Sequence, residues 1–414
     1  MGGFDTKLGG KVGSRLQGYY EATTAEAFIE QPLATGDSIY GGYRISDGQL
    51  PDYYDARTQD DGQVVLGVRV PLLRGRATDA RRASVRKAEI GVEGAVPEIA
   101  RARIAFVRAA SQAYFGWEAA GRKVAIAREL LRLAEDRQAG LRRGVEREFL
   151  PEVTLVDNER LITQRRVFVT RAERAFEAAA LGLSLYYRAD DDQPIVAGEA
   201  RLPPPRSERV GLDEEASVAV ARALRERPEL ERLAFRLDAA ETDRALAEND
   251  VLPSLDLLVE ANQALSQGPY KDLDDFGFFV GGKLELPIQR RAARGRLRVA
   301  ELEVERLRIE KRFLEERIVN EILDARSALE NALSQLDATE RNVVLARELV
   351  AAEQRAFELG RSDLLRIQLR EAQLADAQIL AVDARLGYER SLVDYRAALG
   401  ESGPGDEPQR SRMR

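Results

Sequence analysis

Between Gly295 and Gly360 the hydrophobic positions fall into a seven-residue rhythm: Ile322, Leu329, Leu336, Val343, Val350 and Phe357. Ala325, Ala332, Thr339 and Ala346 sit three places after the first four, the pattern of a coiled-coil seam with close helix approach. About 65 residues without proline or glycine, rich in Leu, Ala, Glu and Arg, predict one helix roughly 100 Å long.

The pattern occurs twice. Val70-Pro71-Leu72 is matched by Leu286-Pro287-Ile288, and Gly144 by Gly360, in each case 216 positions later. Ala88-Glu89-Ile90-Gly91-Val92-Glu93 recurs as Ala300-Glu301-Leu302-Glu303-Val304-Glu305, 212 positions later. Such self-similarity marks a tandem duplication. In the first copy Val92, Ile99, Phe106, Ala113, Ala120, Ala127, Ala134 and Leu141 form the long seam, with Pro97 expected to kink it. Return helices carry Leu155, Ile162, Val169, Phe176 and Leu183, and then Ile367, Leu374, Ala381, Tyr388 and Tyr395.

The predicted organisation is a first repeat over 5–189, a linker over 190–212, a second repeat over 213–400 and a disordered tail over 401–414. The first repeat holds a strand hairpin (11–72), a long helix (79–143) and a return helix (153–187). The second holds a short helix (213–249), a hairpin (254–288), a long helix (291–359) and a return helix (363–398). Nothing resembling 213–249 precedes the first hairpin, and no basic-plus-apolar leader stands at Met1; the expectation is a start that lies upstream.

The hairpins alternate with period two. Leu255, Leu257, Val259 and Ala261 oppose Asp256, Glu260 and Asn262; Phe276, Phe278, Val280, Leu284 and Leu286 oppose Lys283 and Glu285; Val64, Leu66, Val68 and Val70 oppose Arg69. Lys11–Thr24 alternates more weakly. An apolar and a wet face on one strand fit a transmembrane barrel, with Arg69, Asp256, Glu260, Lys283 and Glu285 as lumen candidates. The alternation predicts four strands per chain, too few to close a barrel alone, and three copies would bring twelve. Residues 28–62, long and Tyr-rich, and 266–275 read as loops of an exposed rim.

Composition narrows the chemistry. The 414 residues include no Cys and no His, which removes thiol, imidazole and histidine-ligated metal chemistry. A formal charge of -7 and arginines without interleaved aromatics argue against nucleic acid as a partner. No run of 18 apolar residues predicts a transmembrane helix. Arg74, Arg76, Arg81 and Arg82, mirrored by Arg290, Arg291, Arg294 and Arg296, gather where strands give way to helices, against the helix dipole. Anionic lipid headgroups and a solvated face are the two readings. Asp190-Asp191-Asp192 reads as a solvated turn, and Trp117 with Tyr114-Phe115 as packing.

Taken together, Arg227-Pro228-Glu229-Leu230, Leu252-Pro253-Ser254-Leu255, the strand end Gly281–Ile288, the turn Phe357–Leu365 and Tyr395–Gly400 resemble the outer-membrane efflux proteins of the TolC type. The resemblance implies a mainly helical protein with a membrane β element: a homotrimer combining a periplasmic helical tunnel with a twelve-stranded outer-membrane barrel. It also implies a passive exit duct, without cofactor or catalysis, that meets a periplasmic adaptor and, through it, an inner-membrane pump. The tunnel tips, here Gly144-Val145 and Gly360-Arg361-Ser362, would then dock the adaptor, and Asp363, Arg366 and Leu369 would lie at the gate. The family's acidic ring past the second tip is not matched where Arg366 and Leu369 stand. For both glycines an ordinary helix-ending role competes. A soluble coiled-coil scaffold is the alternative class, and it has no use for two-faced strands.

Overall fold

A computed structural model of the chain describes residues 6–17, 20–48, 57–206, 208–212, 214–268, 270–273, 275–359 and 361–401. Gly360, proposed above for the second tip, lies outside them, as does the tail from 402 onward. Among the described residues no helix is long and apolar enough to cross a membrane.

Two compact units are built from both sequence repeats. The first contains residues up to 96 together with 231–312, the second 97–230 together with 313 onward. In the first unit, strands β1 (Lys7–Gln17), β2 (Tyr20–Pro32), β3 (Ser38–Gly48), β4 (Gln63–Pro71), β5 (Ser254–Ala264) and β6 (Gly277–Glu285) form one antiparallel sheet in sequence order. The alternation predicts four strands, and the described residues form six. Much of the segment 28–62 is strand, and β1 turns back into β2 where a single strand is expected.

The two extra strands escaped the period-two pattern for a physical reason. Phe28 and Tyr40 lie on the polar face, folded onto glycines that leave room for a ring. A Cβ on Gly9 would stand 2.7 Å from the Phe28 ring, and one on Gly42 would stand 2.8 Å from the Phe28 Cβ. The Tyr40 ring covers Gly67 in the same way. The outward row of β2 is correspondingly small, with Ala25 and Ala27 beside Ile29. Hydrophobic residues thus occur on both faces, and the alternation is blurred.

The loop ends also differ from an open rim. Thr58 and Gln59 are buried. Gln59 donates from Nε2 to the Tyr270 carbonyl at 2.5 Å, and Arg57 lies 4.4 Å over the Tyr270 ring. The two loops are therefore held to each other by buried polar contacts.

Helices α1 (Ala80–Glu146) and α5 (Arg291–Glu358) run through both units, while α2 (Val153–Leu183), α3 (Ala216–Glu226) and α6 (Leu364–Ala398) belong to the second. Helix α4 (Pro228–Val251) starts directly after α3, so the stretch 213–249, expected as one helix, is two. Pro228 causes the break, because the residue before a proline is pushed out of the helical region and Arg227 has ψ 120. In the second unit Arg227 is buried and uses the break: it donates to the Ala398 carbonyl at 2.9 Å, to Glu321 at 2.8 Å and to Glu229 at 3.1 Å. A carbonyl at the end of α6 that no helical N–H can reach is thereby satisfied.

Pro97 lies inside the continuous α1 and is buried. The seam of α5 is fully buried at Ile318, Ile322, Leu329 and Leu336, and opens gradually until Phe357 is exposed. On α1 the positions Ala127, Ala134 and Leu141 are buried, whereas Val92, Ile99 and Phe106, expected in the same seam, are exposed. Among the described residues that stretch stays largely open, although the Phe106 ring meets Tyr186 edge-on at 5.4 Å. The second unit has a core of Trp117, Val124, Phe176, Ala180, Leu183 and Ala197, in which the Trp117 ring stacks on Phe176 and its indole N–H donates to the Ala197 carbonyl at 2.9 Å. Asp192 adopts φ 63 in a turn closed by Ala189 N–H donating to the Gln193 carbonyl.

Candidate channel wall and tunnel tip

Strand register assigns every side chain of the sheet to one of two faces. One face carries the rows Leu8↔Ile29, Ile39↔Val68, Val68↔Val259 and Val259↔Val280, and it is apolar from one edge to the other. Leu8, Val12, Ile29, Ile39, Val64, Leu66, Phe278, Val280 and Leu284 are all exposed on it. An apolar patch of this extent has no place in water.

The opposite face is charged and cross-linked by ion pairs. Arg44 donates to Glu26 at 2.8 Å and approaches Glu260 at 3.5 Å, the Tyr40 hydroxyl donates to Glu260 at 2.9 Å, and Arg69 donates to Glu30 at 2.8 Å. These groups line a concavity of about 310 Å³ together with Lys11, Phe28 and Leu258. Of the lumen candidates, Arg69 and Glu260 meet in it, Asp256 stands opposite Lys283, and Glu285 lies 3.8 Å from Arg74 at the end of β6. All five are on this face. Sequence reasoning missed Glu26, Glu30, Tyr40 and Arg44 because the strands that carry them were unrecognised. Opposite charges at matched register, Glu26 facing Arg44 across the β2–β3 pair, were the available signal.

Where strands hand over to helices, four of the eight arginines have acidic partners among the described residues. Arg74 meets Glu285, Arg76 meets Asp37 at 3.3 Å, Arg82 meets Asp79 at 2.7 Å and Arg296 meets Asp250 at 3.6 Å. Asp79 also caps α1, its carboxylate accepting from the backbone N–H groups of Arg81 and Arg82. Burial alone would raise its pKa, but the hydrogen bonds from Arg82 and Arg81 outweigh it and hold the carboxyl below the usual range.

In the second unit the first tip closes on Gly144. Its carbonyl accepts from Phe149 N–H at 2.9 Å and Leu150 N–H at 3.2 Å, and Glu148 adopts φ 59. Gly144 and Val145 are still within the last turn of α1, so the left-handed residue that ends this helix is Glu148, not the glycine. What Gly144 supplies is room: a Cβ there would be 2.6 Å from Leu150 Cδ1. Phe149, Val153 and Val156 are exposed around it.

At the second tip Arg361 N–H donates to the Ala356 carbonyl at 2.8 Å, Ser362 donates to Glu353, and Asp363 caps α6 by accepting from Arg366 N–H at 2.9 Å. The Asp363–Arg366 ion pair, at 3.6 Å, is exposed on both sides and is worth about 1 kcal/mol or less. Leu359, Leu365 and Leu369 are exposed, giving this tip an apolar surface like that of the first.

Two residues beyond Leu369 stands a group that sequence reasoning passed over. The Glu371 carboxylate is almost wholly buried and pairs with Arg137 of α1 and, at 3.4 Å, with Arg165 of α2. Burial pushes the Arg165 guanidinium below its usual range, although Glu371 opposes this. Asn158, one heptad before Arg165, donates to the Ala134 carbonyl at 3.0 Å. The acidic residue past the second tip is thus locked between helices within the chain.

The fold that combines this two-faced antiparallel sheet with long heptad-bearing helices is similar to that of solved outer-membrane channels. The chain is similar over 96% of its length to 77% of the CmeC outer membrane channel of Campylobacter jejuni, with 14% identity and a TM-score of 0.66. It is also similar over 96% of its length to 80% of the open-state MtrE outer membrane channel of Neisseria gonorrhoeae (17% identity, TM-score 0.61), and over 92% to 87% of the outer membrane protein VceC of Vibrio cholerae (15%, 0.62). Residues 219–401 match the family model described as outer membrane efflux protein. No curated protein sequence matches.

Proposed function

We propose that this chain is one protomer of an outer-membrane exit duct for efflux or secretion, a conduit rather than an enzyme. The sheet carries the reading. It has an apolar face suited to lipid and a charged face suited to a wet lumen, and it sits in a chain that otherwise has the fold of efflux channels. Val92, Ile99 and Phe106 on α1, and Val299, Leu302, Ile309 and Phe313 on α5, are exposed apolar stripes that neighbouring copies would cover in a trimeric tunnel. The helices lie in the periplasm in this arrangement. The exposed apolar groups at the tips, Phe149, Val153, Leu359 and Leu365, suit docking of a periplasmic adaptor linked to an inner-membrane pump.

Outer-membrane fractions from cells expressing the full-length protein are expected to contain a heat-sensitive trimer. That trimer should give discrete conductance steps in planar bilayers. Recovery of the whole population as a soluble monomer would sink the duct and favour a coiled-coil scaffold.

A further inference from the structure

We propose that Arg81, Arg290, Arg291 and Arg294, where strands give way to helices, hold the phosphates of anionic phospholipids in the membrane leaflet that faces the periplasm. The proposal rests on the duct reading and names the lipid that its wall prefers.

Both halves of the site lie in the first unit, at one end of its sheet. The backbone N–H groups of Leu72 and Arg74 donate to the Leu255 carbonyl at 2.7 Å and the Pro253 carbonyl at 3.2 Å, which sets the chain leaving β4 beside the chain entering β5. Arg74 reaches Glu285 at 3.8 Å, at the end of β6. The arginines that follow β4 and those that follow β6 therefore gather at the same end.

Their charge is in excess. Glu285, Asp37, Asp79 and Asp250 are engaged by Arg74, Arg76, Arg82 and Arg296. The next acids along α1 and α5 are engaged too, Glu89 by Arg86 at 3.6 Å and Glu301 by Arg298 at 3.0 Å. Among the described residues Arg81, Arg290, Arg291 and Arg294 have no carboxylate partner, and Arg291 and Arg294 are exposed. Arg290 uses only its Nε, on the Pro287 carbonyl at 3.1 Å. Neither helix has an acidic residue in its first turn, so this charge also opposes the helix dipoles. An anion from outside the chain would relieve both.

The apolar border selects a lipid over a soluble anion. Leu255 faces Leu284 across the β5–β6 pair and is bonded to Leu72, so the apolar face runs to the very end of the sheet. Leu286 and Ile288 continue its alternation, Ile288 being 96% exposed, and Arg290 comes two residues later. Hydrocarbon therefore has a surface beside each guanidinium. The planar guanidinium fork matches phosphate oxygens, and a net negative headgroup supplies the charge that the chain itself lacks here. Each basic group beside an anionic surface is worth roughly fivefold in binding.

The test heats the trimer of the full chain, purified in neutral detergent, with phosphatidylglycerol, phosphatidylcholine or inorganic phosphate, and reads its dissociation temperature on seminative gels. A ligand of the assembled state stabilises it by mass action, so phosphatidylglycerol is expected to protect more than phosphatidylcholine, and inorganic phosphate not at all. That advantage should shrink as salt is raised. Arg291→Gln with Arg294→Gln should lose most of it, through binding weakened about 25-fold, while Arg291→Lys with Arg294→Lys keeps the larger part. Equal protection by the two lipids, or an advantage that survives high salt or the glutamine pair, would overturn the proposal. Equal protection by inorganic phosphate would overturn it in favour of a soluble anion. If the glutamine pair does not assemble, the salt dependence of the wild-type trimer decides by the same criteria. A wild-type chain that yields no trimer would overturn the duct reading itself.

Discussion

Glu371 on α6 and Arg165 on α2, 206 residues apart in sequence, meet at 3.4 Å with side chains 1% and 5% exposed. Arg137 completes the group from α1, so a single carboxylate ties three helices of the second unit. Removing it strands two guanidinium groups away from water. Glu371→Ala is therefore expected to destabilise by about 3–5 kcal/mol, the cost of breaking a buried pair from one side. Glu371→Leu combined with Arg165→Leu should recover a large part of that loss. Chemical denaturation of the purified protein measures both, and a double variant no better than the single would refute the pairing as the cause.

Glu389 gives a pH-dependent expectation. Burial raises its carboxyl pKa, Arg385 and Arg206 pull it down by less, and Glu118 adds to the rise. A carboxyl with a raised folded pKa binds protons more tightly in the folded state than in the unfolded one. Its contribution to stability is therefore complete below the ordinary carboxylate pKa and is lost as pH rises through the folded value. Glu389→Gln removes that dependence. The stability of wild type relative to the variant should fall from about pH 4 upward and level off once Glu389 is ionised. A difference that rises with pH would contradict the sign.

Gly144 contributes space rather than a turn conformation, because its backbone is ordinary helix and the positive φ falls on Glu148. Gly144→Val brings a branched side chain against Leu150 and reshapes the turn that exposes Phe149. Since the tip lies apart from the Trp117 core, the heat-sensitive trimer should persist while export falls. Accumulation of an efflux substrate in cells carrying the variant measures this. Normal export would remove the first tip as a docking surface.

The helical half of the fold was legible because heptads report burial directly: Ile322, Leu329, Leu336, Ala127 and Ala134 are seam positions and are fully buried. Val92, Ile99 and Phe106 follow the same period and are exposed, since periodicity shows that a stripe is apolar and says nothing of what covers it. On the sheet, β4, β5 and β6 were readable where Val, Leu and Phe alternate with charge. The strands β2 and β3 were not, because Phe28 and Tyr40 fold onto glycines of the polar face. Glu371 was invisible for another reason. On its own helix it reads as one more solvated charge among many, and only Arg137 and Arg165, brought from two distant helices, make it an interior residue.

Arg44 lies between two carboxylates on the charged face, at 2.8 Å from Glu26 and 3.5 Å from Glu260. Arg44→Ala leaves both acids without their shared cation, and Arg69 is committed to Glu30. If this face lines the lumen, repetition of the change in every copy makes a ring of excess negative charge. Charged rings of one sign select ions of the other. The variant channel should therefore become more cation-selective than wild type, seen as a shifted reversal potential under a salt gradient in planar bilayers. The shift should shrink as salt rises and screening shortens the reach of the carboxylates. Conductance and selectivity unchanged at low salt would place this face outside the conduction path.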